Sequence, residues 1–246
     1  FFSSKISHIW SPAFSMTHGF GGLQIYSDAY FYNCIITNNL GNGIEINKGA
    51  SIIMQNTTIS NSLWSGISGI NGSATIYNST FINNLEHDIH TCAYINLINC
   101  SFDDNKIKSP STLFVKWYLD ISILDENGNG LSDVNVTIKD NYNEALNQKY
   151  ISGTDGDVNR IILTEYIQNS TNKTYYTPHT LIIEKDGLRR EMTVVMDENK
   201  EITITLDIEP TLTGDYLWII VVTVIILGSV ATTVYLRKRK SPPTQQ

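Results

Sequence analysis

Hydrolytic or metal chemistry in the first 108 residues would have to use Asp28, Glu45, Glu86, Asp88, Asp103 and Asp104, the only carboxylates there. A general acid and base, or a calcium-assisted proton abstraction, needs such groups to converge with a basic partner. No arginine occurs before Arg160. Asp103 and Asp104 are adjacent, and consecutive strand residues point to opposite faces, so the pair reads as a solvated cap. Thr17-His18-Gly19 does not reproduce a Gly-His-Gly hydrolase motif. His18 with Met16, or His87 with His90, supplies two copper ligands, which close no site. Asp125-x-Asn127-x-Asn129-Gly130 opens like a calcium loop, but Val136 stands where the bidentate glutamate belongs, and a hairpin turn is the plainer reading. Cys34, Cys92 and Cys100 are odd in number, lack metal spacing, and are expected as buried or half-buried thiols. These residues nominate no catalytic group, no metal ligand and no cofactor.

The chain as a whole is acidic, with a formal charge of −7 over 246 residues. It has no basic stripe, which argues against nucleic acid as a partner. Its one dense basic run is Arg237-Lys238-Arg239-Lys240, directly after twenty uncharged residues, Leu217 to Leu236. As a helix, that stretch is about 30 Å long and matches a bilayer core. Tyr216, Trp218 and Tyr235 lie near its ends, where aromatic rings favour the interface, and Asp207, Glu209 and Asp215 precede it. The basic run fixes the topology: the C-terminus is expected in the cytoplasm, and the preceding residues outside a single-pass cell membrane anchor. Phe1 to Trp10 carry no signal sequence, so the chain is expected to be a fragment or to have lost its leader.

The elements that precede this anchor follow a repeat. Asn33-Cys-Ile-Ile-Thr-Asn-Asn, Asn56-Thr-Thr-Ile-Ser-Asn-Ser, Asn78-Ser-Thr-Phe-Ile-Asn-Asn and Asn99-Cys-Ser-Phe-Asp-Asp-Asn are offset by 23, 22 and 21 residues. The register extends to Phe31, Met54, Ile76 and Leu97 two residues before each asparagine. It continues with Ile36, Ile59, Phe81 and Phe102 three residues after, and Leu40, Leu63 and Leu85 seven after. Apolar residues at spacing two read as short strands with one face inward. Asparagine suits the turns that end them, and Asn33, Asn56, Asn78 and Asn99 are expected to stack as an amide ladder. A single coil cannot bury its apolar face, whereas stacked coils can. Leucine-rich repeats share the period but not the position of the asparagine. Helical repeats are excluded by the wealth of Asn, Thr, Ser, Gly and β-branched residues.

On these motifs, residues 20–108 resemble right-handed parallel β-helix repeats, found in carbohydrate-binding and sugar-hydrolase solenoids and in copper-handling β-helix proteins. Beyond Leu113 the pattern becomes clean alternation, as in Leu119-x-Ile121-x-Ile123 and Val134-x-Val136-x-Ile138. Turn signals recur at Asp125–Gly130, Thr154–Gly156, Lys185–Gly187 and Asp197–Asn199. The run LDISILDENGNGLSDVNVTIKD, with TDGDVNRIILTEY, resembles carboxypeptidase-regulatory-like and immunoglobulin-like surface modules, which implies a spacer or stalk. Some such modules carry a Lys–Asn crosslink; the matching lysine position holds Ile123.

The expected fold is all-β: a parallel β-helix over 1–110, an Ig-like β-sandwich over 113–208, a linker over 209–216, a transmembrane helix over 217–236 and a basic tail over 237–246. The expected function is non-catalytic binding of glycans or another surface protein. Alternatives are a polysaccharide lyase or hydrolase with its active coils upstream, and a structural cell-envelope component. Sequons at Asn71, Asn135, Asn169 and Asn172 are the expected glycan acceptors, whereas glycans on Asn56, Asn78 or Asn99 would break the ladder.

Overall fold

The computed structural model describes residues 9–10, 14–16, 22–69, 71–91, 94–108, 112–146 and 148–207. The proposed span at 217–236 and the basic tail lie outside the described residues, as do His18 and Cys92. Among the described residues no helix is long and apolar enough to cross a membrane.

Each repeat folds into three short strands, one in each of three parallel sheets. The first sheet stacks Ala29–Tyr32, Ser51–Gln55, Ser73–Tyr77, Tyr94–Ile98 and the start of Thr112–Leu124. Ile35–Thr37, Thr58–Ser60 and Thr80–Ile82 form a second sheet. Leu23–Ile25, Ile44–Ile46, Ser65–Gly69, His87–Thr91 and Ile107–Lys108 form a third. Equivalent residues of successive repeats pair directly, as Ala29 with Ile52, Ile52 with Ala74 and Ala74 with Ile95. Inward residues such as Met54, Ile76, Leu97, Ile59 and Ile67 fuse into one buried cluster. This is a β-solenoid. At its N-terminal end Ile9–Trp10 and Phe14–Met16 pair antiparallel with the first strands of the first and third sheets.

Coils approach closely at the start of the first three third-sheet strands, at Gly22, Gly43 and Gly66. A Cβ on Gly66 would lie 2.7 Å from the Asp88 carbonyl oxygen, and one on Gly43 would lie 2.6 Å from that of Gly66. At these three positions a side chain would strike the backbone of the next coil, so glycine alone fits them.

The leucines seven residues after Asn33, Asn56 and Asn78 do not join the core. Leu40, Leu63 and Leu85 are all exposed, at 48%, 45% and 68%. They occupy a turn whose inward position belongs to the preceding residue: Asn39, Ser62 or Asn84. Ser62 and Asn84 are buried, and Asn39 Nδ2 donates to Ser62 Oγ while the Ser62 amide donates to Asn84 Oδ1. The apolar periodicity of that corner is therefore outside, and its polar periodicity is inside.

Thr112–Leu124 carries the chain out of the solenoid without a break. Its early residues Leu113 and Val115 belong to the solenoid cluster, and Leu119, Ile121 and Ile123 to a second one. Trp117 packs against both. The strand pairs antiparallel with Asp157–Gln168 and parallel with Lys200–Thr205. A separate sheet of Tyr150–Ile151, Asn135–Lys139, His179–Lys185 and Leu188–Val194 contributes Val136, Ile138, Leu181 and Ile183 to the second cluster. The Asp125–Gly130 turn does not make an ordinary hairpin. It folds back for one bridge, Leu124 with Gly130, and the chain then crosses to the separate sheet.

His179 joins the two sheets at their edge. It is 1% exposed, and its Nε2 lies 2.9 Å from the Thr164 carbonyl oxygen, so that nitrogen carries the proton of a neutral ring. Its Nδ1 is buried without a partner among the described residues. Burial holds the imidazole below its ordinary value of 6.5. Stability contributed by neutral His179 is present above 6.5 and is lost as pH falls from there through the depressed value. Urea unfolding at pH 7.5 and pH 5.0 is expected to show a larger acid loss for the native chain than for His179→Gln. Half-buried Glu165, held high chiefly by desolvation, works in the opposite direction and is common to both chains, so the pairwise difference isolates His179.

Candidate binding site

The ladder asparagines turn the chain between the first and second sheets. Asn33, Asn56, Asn78 and Asn99 all have positive φ, from 48° to 54°. Asparagine tolerates this left-handed geometry better than most residues. Asn56 Nδ2 donates to Asn33 Oδ1 at 3.2 Å, and Asn99 Nδ2 to Asn78 Oδ1 at 2.9 Å. The residue after each asparagine points inward and forms a second ladder. Cys34, Thr57, Ser79 and Cys100 are buried; Thr57 Oγ1 accepts from the Cys34 amide and Ser79 Oγ from the Thr57 amide. Burial pushes the Cys100 thiol up to about 11, so it is inert at neutral pH. A third set, Asn38, Asn61 and Asn83, turns the chain out of the second sheet, again at positive φ.

The outward face of the first sheet sets side chains in straight rows. One row runs Tyr30, Ile53, Thr75, Asn96, Phe114; the next runs Tyr32, Gln55, Tyr77, Ile98, Lys116, in which Ile98 is covered and buried. Tyr30, Tyr32 and Tyr94 are exposed by about half. Tyr94 and Phe114 rings lie 5.7 Å apart, and Lys116 Nζ sits 4.9 Å from the Phe114 centroid and donates to Asn96 Oδ1. The face is therefore aromatic and amide-bearing, with Lys116 its one cation and no carboxylate in either row.

A cleft of about 560 Å³ opens where the solenoid meets the following sheets. The ladder asparagines Asn78 and Asn99 reach it from one side, and Trp117, Glu165 and Asp197 from the other. Trp117 Nε1 donates to Glu165 Oε2 at 2.7 Å. Tyr166 Oη donates to Asp104 Oδ1 at 2.5 Å, and Lys173 Nζ reaches Asp104 Oδ2 at 2.7 Å while lying 3.6 Å from the Tyr166 ring centroid. Burial, reinforced by the Asp104 carboxylate, drives the Tyr166 phenol far above its ordinary range.

The sequence reading set Asp104 aside as a solvated cap and did not single out Trp117, Glu165, Tyr166 or Lys173. Asp103 does cap the 3₁₀ turn Asp104–Lys106, accepting from the Asn105 amide, but Asp104 braces the joint. The strand runs to Gln168, and past Leu163 its inward position slips to Tyr166 at an irregularity opposite Val115 and Lys116, so simple alternation does not mark these residues.

The other candidates stay apart from the cleft. His87 and His90 stack with centroids 5.3 Å apart, and His87 is held below its ordinary value by burial and then by His90. Asp125 spends its carboxylate on its own loop, accepting from the Asn127 and Asn129 amides and from Asn129 Nδ2. Those hydrogen bonds from Asn129 hold it below the usual carboxylate range. Asp88 is buried, its oxygens taken by Asn84 Nδ2 and the Asp103 amide. Asn71, Asn135, Asn169 and Asn172 are exposed.

No curated protein matches the sequence. Among solved structures, the Bacillus anthracis TIE protein is similar at 14% identity and a TM-score of 0.25, over 37% of this chain and 17% of that one. This chain thus spans under a fifth of that protein's length. Residues 3–147, more than half of the chain, match the family described as the right handed beta helix region. With the three stacked parallel sheets, this match places the chain in the right-handed β-helix family.

Proposed function

We propose that this chain is a non-catalytic, cell-surface β-helix protein that binds glycans through the outward face of its first sheet. In this reading residues 113–208 are an immunoglobulin-like sandwich serving as a stalk, and Leu217 to Leu236 anchor the chain with Arg237–Lys240 in the cytoplasm. The observation that supports the binding role is the outward face of the first sheet, whose neighbouring rows set Tyr30, Tyr32, Tyr77 and Tyr94 among Gln55, Thr75 and Asn96. Rings stack on the apolar faces of sugars, while amides and hydroxyls meet their hydroxyl rims. The anchor reading rests on the length and apolarity of the segment and on the charges flanking it.

The test uses the full chain in detergent against an array of neutral and acidic glycans. The triple variant Tyr30→Ala, Tyr32→Ala, Tyr94→Ala is expected to lose about tenfold or more in affinity, at roughly 0.5–1.5 kcal/mol per ring. These side chains point outward, so folding should be unchanged by circular dichroism. Retention of the same glycans by the triple variant, or capture of none by the native chain, would refute the reading.

A further inference from the structure

We infer that the cleft at the joint between the solenoid and the following sheets is a second binding site, specific for a short uncharged oligosaccharide. The inference takes its ligand class from the proposed glycan-binding role, but its site is separate from the sheet face.

The cleft's chemistry selects that class. Its volume, about 560 Å³, falls within the range of small-molecule pockets. Its walls present the Asn78 and Asn99 amides and the Thr80 and Ser101 hydroxyls beside the carboxylates of Asp104, Glu165 and Asp197. Two of those carboxylates are already neutralised: Asp104 by Lys173 at 2.7 Å and Asp197 by Lys200 at 2.8 Å. Glu165 faces the cleft with the Trp117 indole as its partner. An anionic ligand would meet the Glu165 carboxylate, while Lys173 and Lys200 are already spent on Asp104 and Asp197, so uronates and phosphates are disfavoured. Hydroxyl groups suit the walls, because carboxylates accept from them in charge-assisted hydrogen bonds.

The aromatic wall is fixed in advance. Trp117 is held at its ring edge by Glu165 and packed against both hydrophobic clusters, so its orientation costs nothing further on binding. A fixed indole beside convergent acceptors and amides complements a sugar ring, which has an apolar face and a rim of hydroxyls. The two halves of the site come from different parts of the fold, the amides from the solenoid turn and the indole and Glu165 from the strands beyond it. The site therefore exists only while the joint is intact.

The experiment follows the Trp117 indole N–H resonance in the ¹⁵N-labelled full chain in detergent, assigned with Trp117→Phe. Cellotriose, chitotriose and trigalacturonate are titrated separately. The expected result is a saturable shift of the Trp117 signal with at least one neutral trisaccharide and none with trigalacturonate. Glu165→Gln should weaken that binding about tenfold, the effect of losing a charged acceptor. Ser101→Trp, at an exposed position on the cleft wall, should abolish it without touching either core. The proposal is overturned if the neutral sugars leave the signal unmoved, if trigalacturonate shifts it equally, or if Ser101→Trp binds normally. Array binding lost in the tyrosine triple variant but kept in Ser101→Trp, with Trp117 silent, would remove the cleft site and leave the sheet-face reading standing.

Discussion

Tyr166→Ala is expected to lower the unfolding free energy of the full chain by about 3–5 kcal/mol, the usual cost of deleting a buried aromatic ring. Tyr166 lies on Asp157–Gln168, beyond the repeats, yet it is 2% exposed and packs within the solenoid cluster. It also ties back to the last repeat through Asp104, with Lys173 over its ring. Because Thr112–Leu124 and Asp157–Gln168 run alongside both clusters, the native chain should unfold in urea as one transition. Without the Tyr166 ring the solenoid end loses its cover, and the two clusters should melt separately, followed by circular dichroism and tryptophan fluorescence. Tyr166→Phe keeps the ring and removes only the bond to Asp104, so its loss should be smaller, about 1.5–3 kcal/mol for a hydrogen bond to a charged group. A loss below about 1 kcal/mol in the alanine variant would mean that the joint does not couple the clusters.

The repeat could be read from the sequence because its physics is local. Asn33, Asn56, Asn78 and Asn99 each mark a left-handed turn, and the apolar residues two before and three after lie on the inner faces of adjoining strands. The same periodicity misled at Leu40, Leu63 and Leu85. Regular spacing shows that residues share a row along the solenoid, but whether the row faces in or out depends on the bend of the corner. There the small polar side chains Ser62 and Asn84 take the interior, because hydrogen bonds between coils satisfy them. In the next inward row Cys34 and Cys100 are buried thiols as expected, but their kinship with Thr57 and Ser79 was hidden, since the four share size and a backbone-capping role rather than a residue type.

The joint cleft was not legible at all, for a different reason. Trp117 and Glu165 meet across 48 positions, and Tyr166 and Asp104 across 62. No local pattern records which strand returns to which coil. A pattern-based reading can recognise strands Leu119–Ile123 and Arg160–Leu163, but their extension back to the solenoid is set by pairing between distant segments. Asp104 looked like solvent-facing charge because the residue that uses it lies in the other half of the fold.

Asn78 separates conformational from hydrogen-bonding contributions to the ladder. Its φ is +48°, and its Oδ1 accepts from Asn99 Nδ2 at 2.9 Å. Alanine in the left-handed region costs about 1–2 kcal/mol, and the lost hydrogen bond adds about 1 kcal/mol, so Asn78→Ala should destabilise the chain by about 2–3 kcal/mol. Aspartate tolerates the same backbone and keeps an acceptor for Asn99, which places Asn78→Asp within about 1 kcal/mol of the native chain. Glycine removes the backbone penalty but not the loss of the hydrogen bond, and it adds chain entropy to the unfolded state, so Asn78→Gly should fall between the two. Urea denaturation of the three variants supplies the order Asp, Gly, Ala from most to least stable. If alanine matched aspartate, the left-handed turn and the amide stack would both be incidental, and coil stacking would rest on the inner apolar rows alone. If glycine matched aspartate, with alanine well below, backbone conformation would be the reason for asparagine at the turn. In the expected order both contribute, and the ladder joins neighbouring coils as well as turning each one.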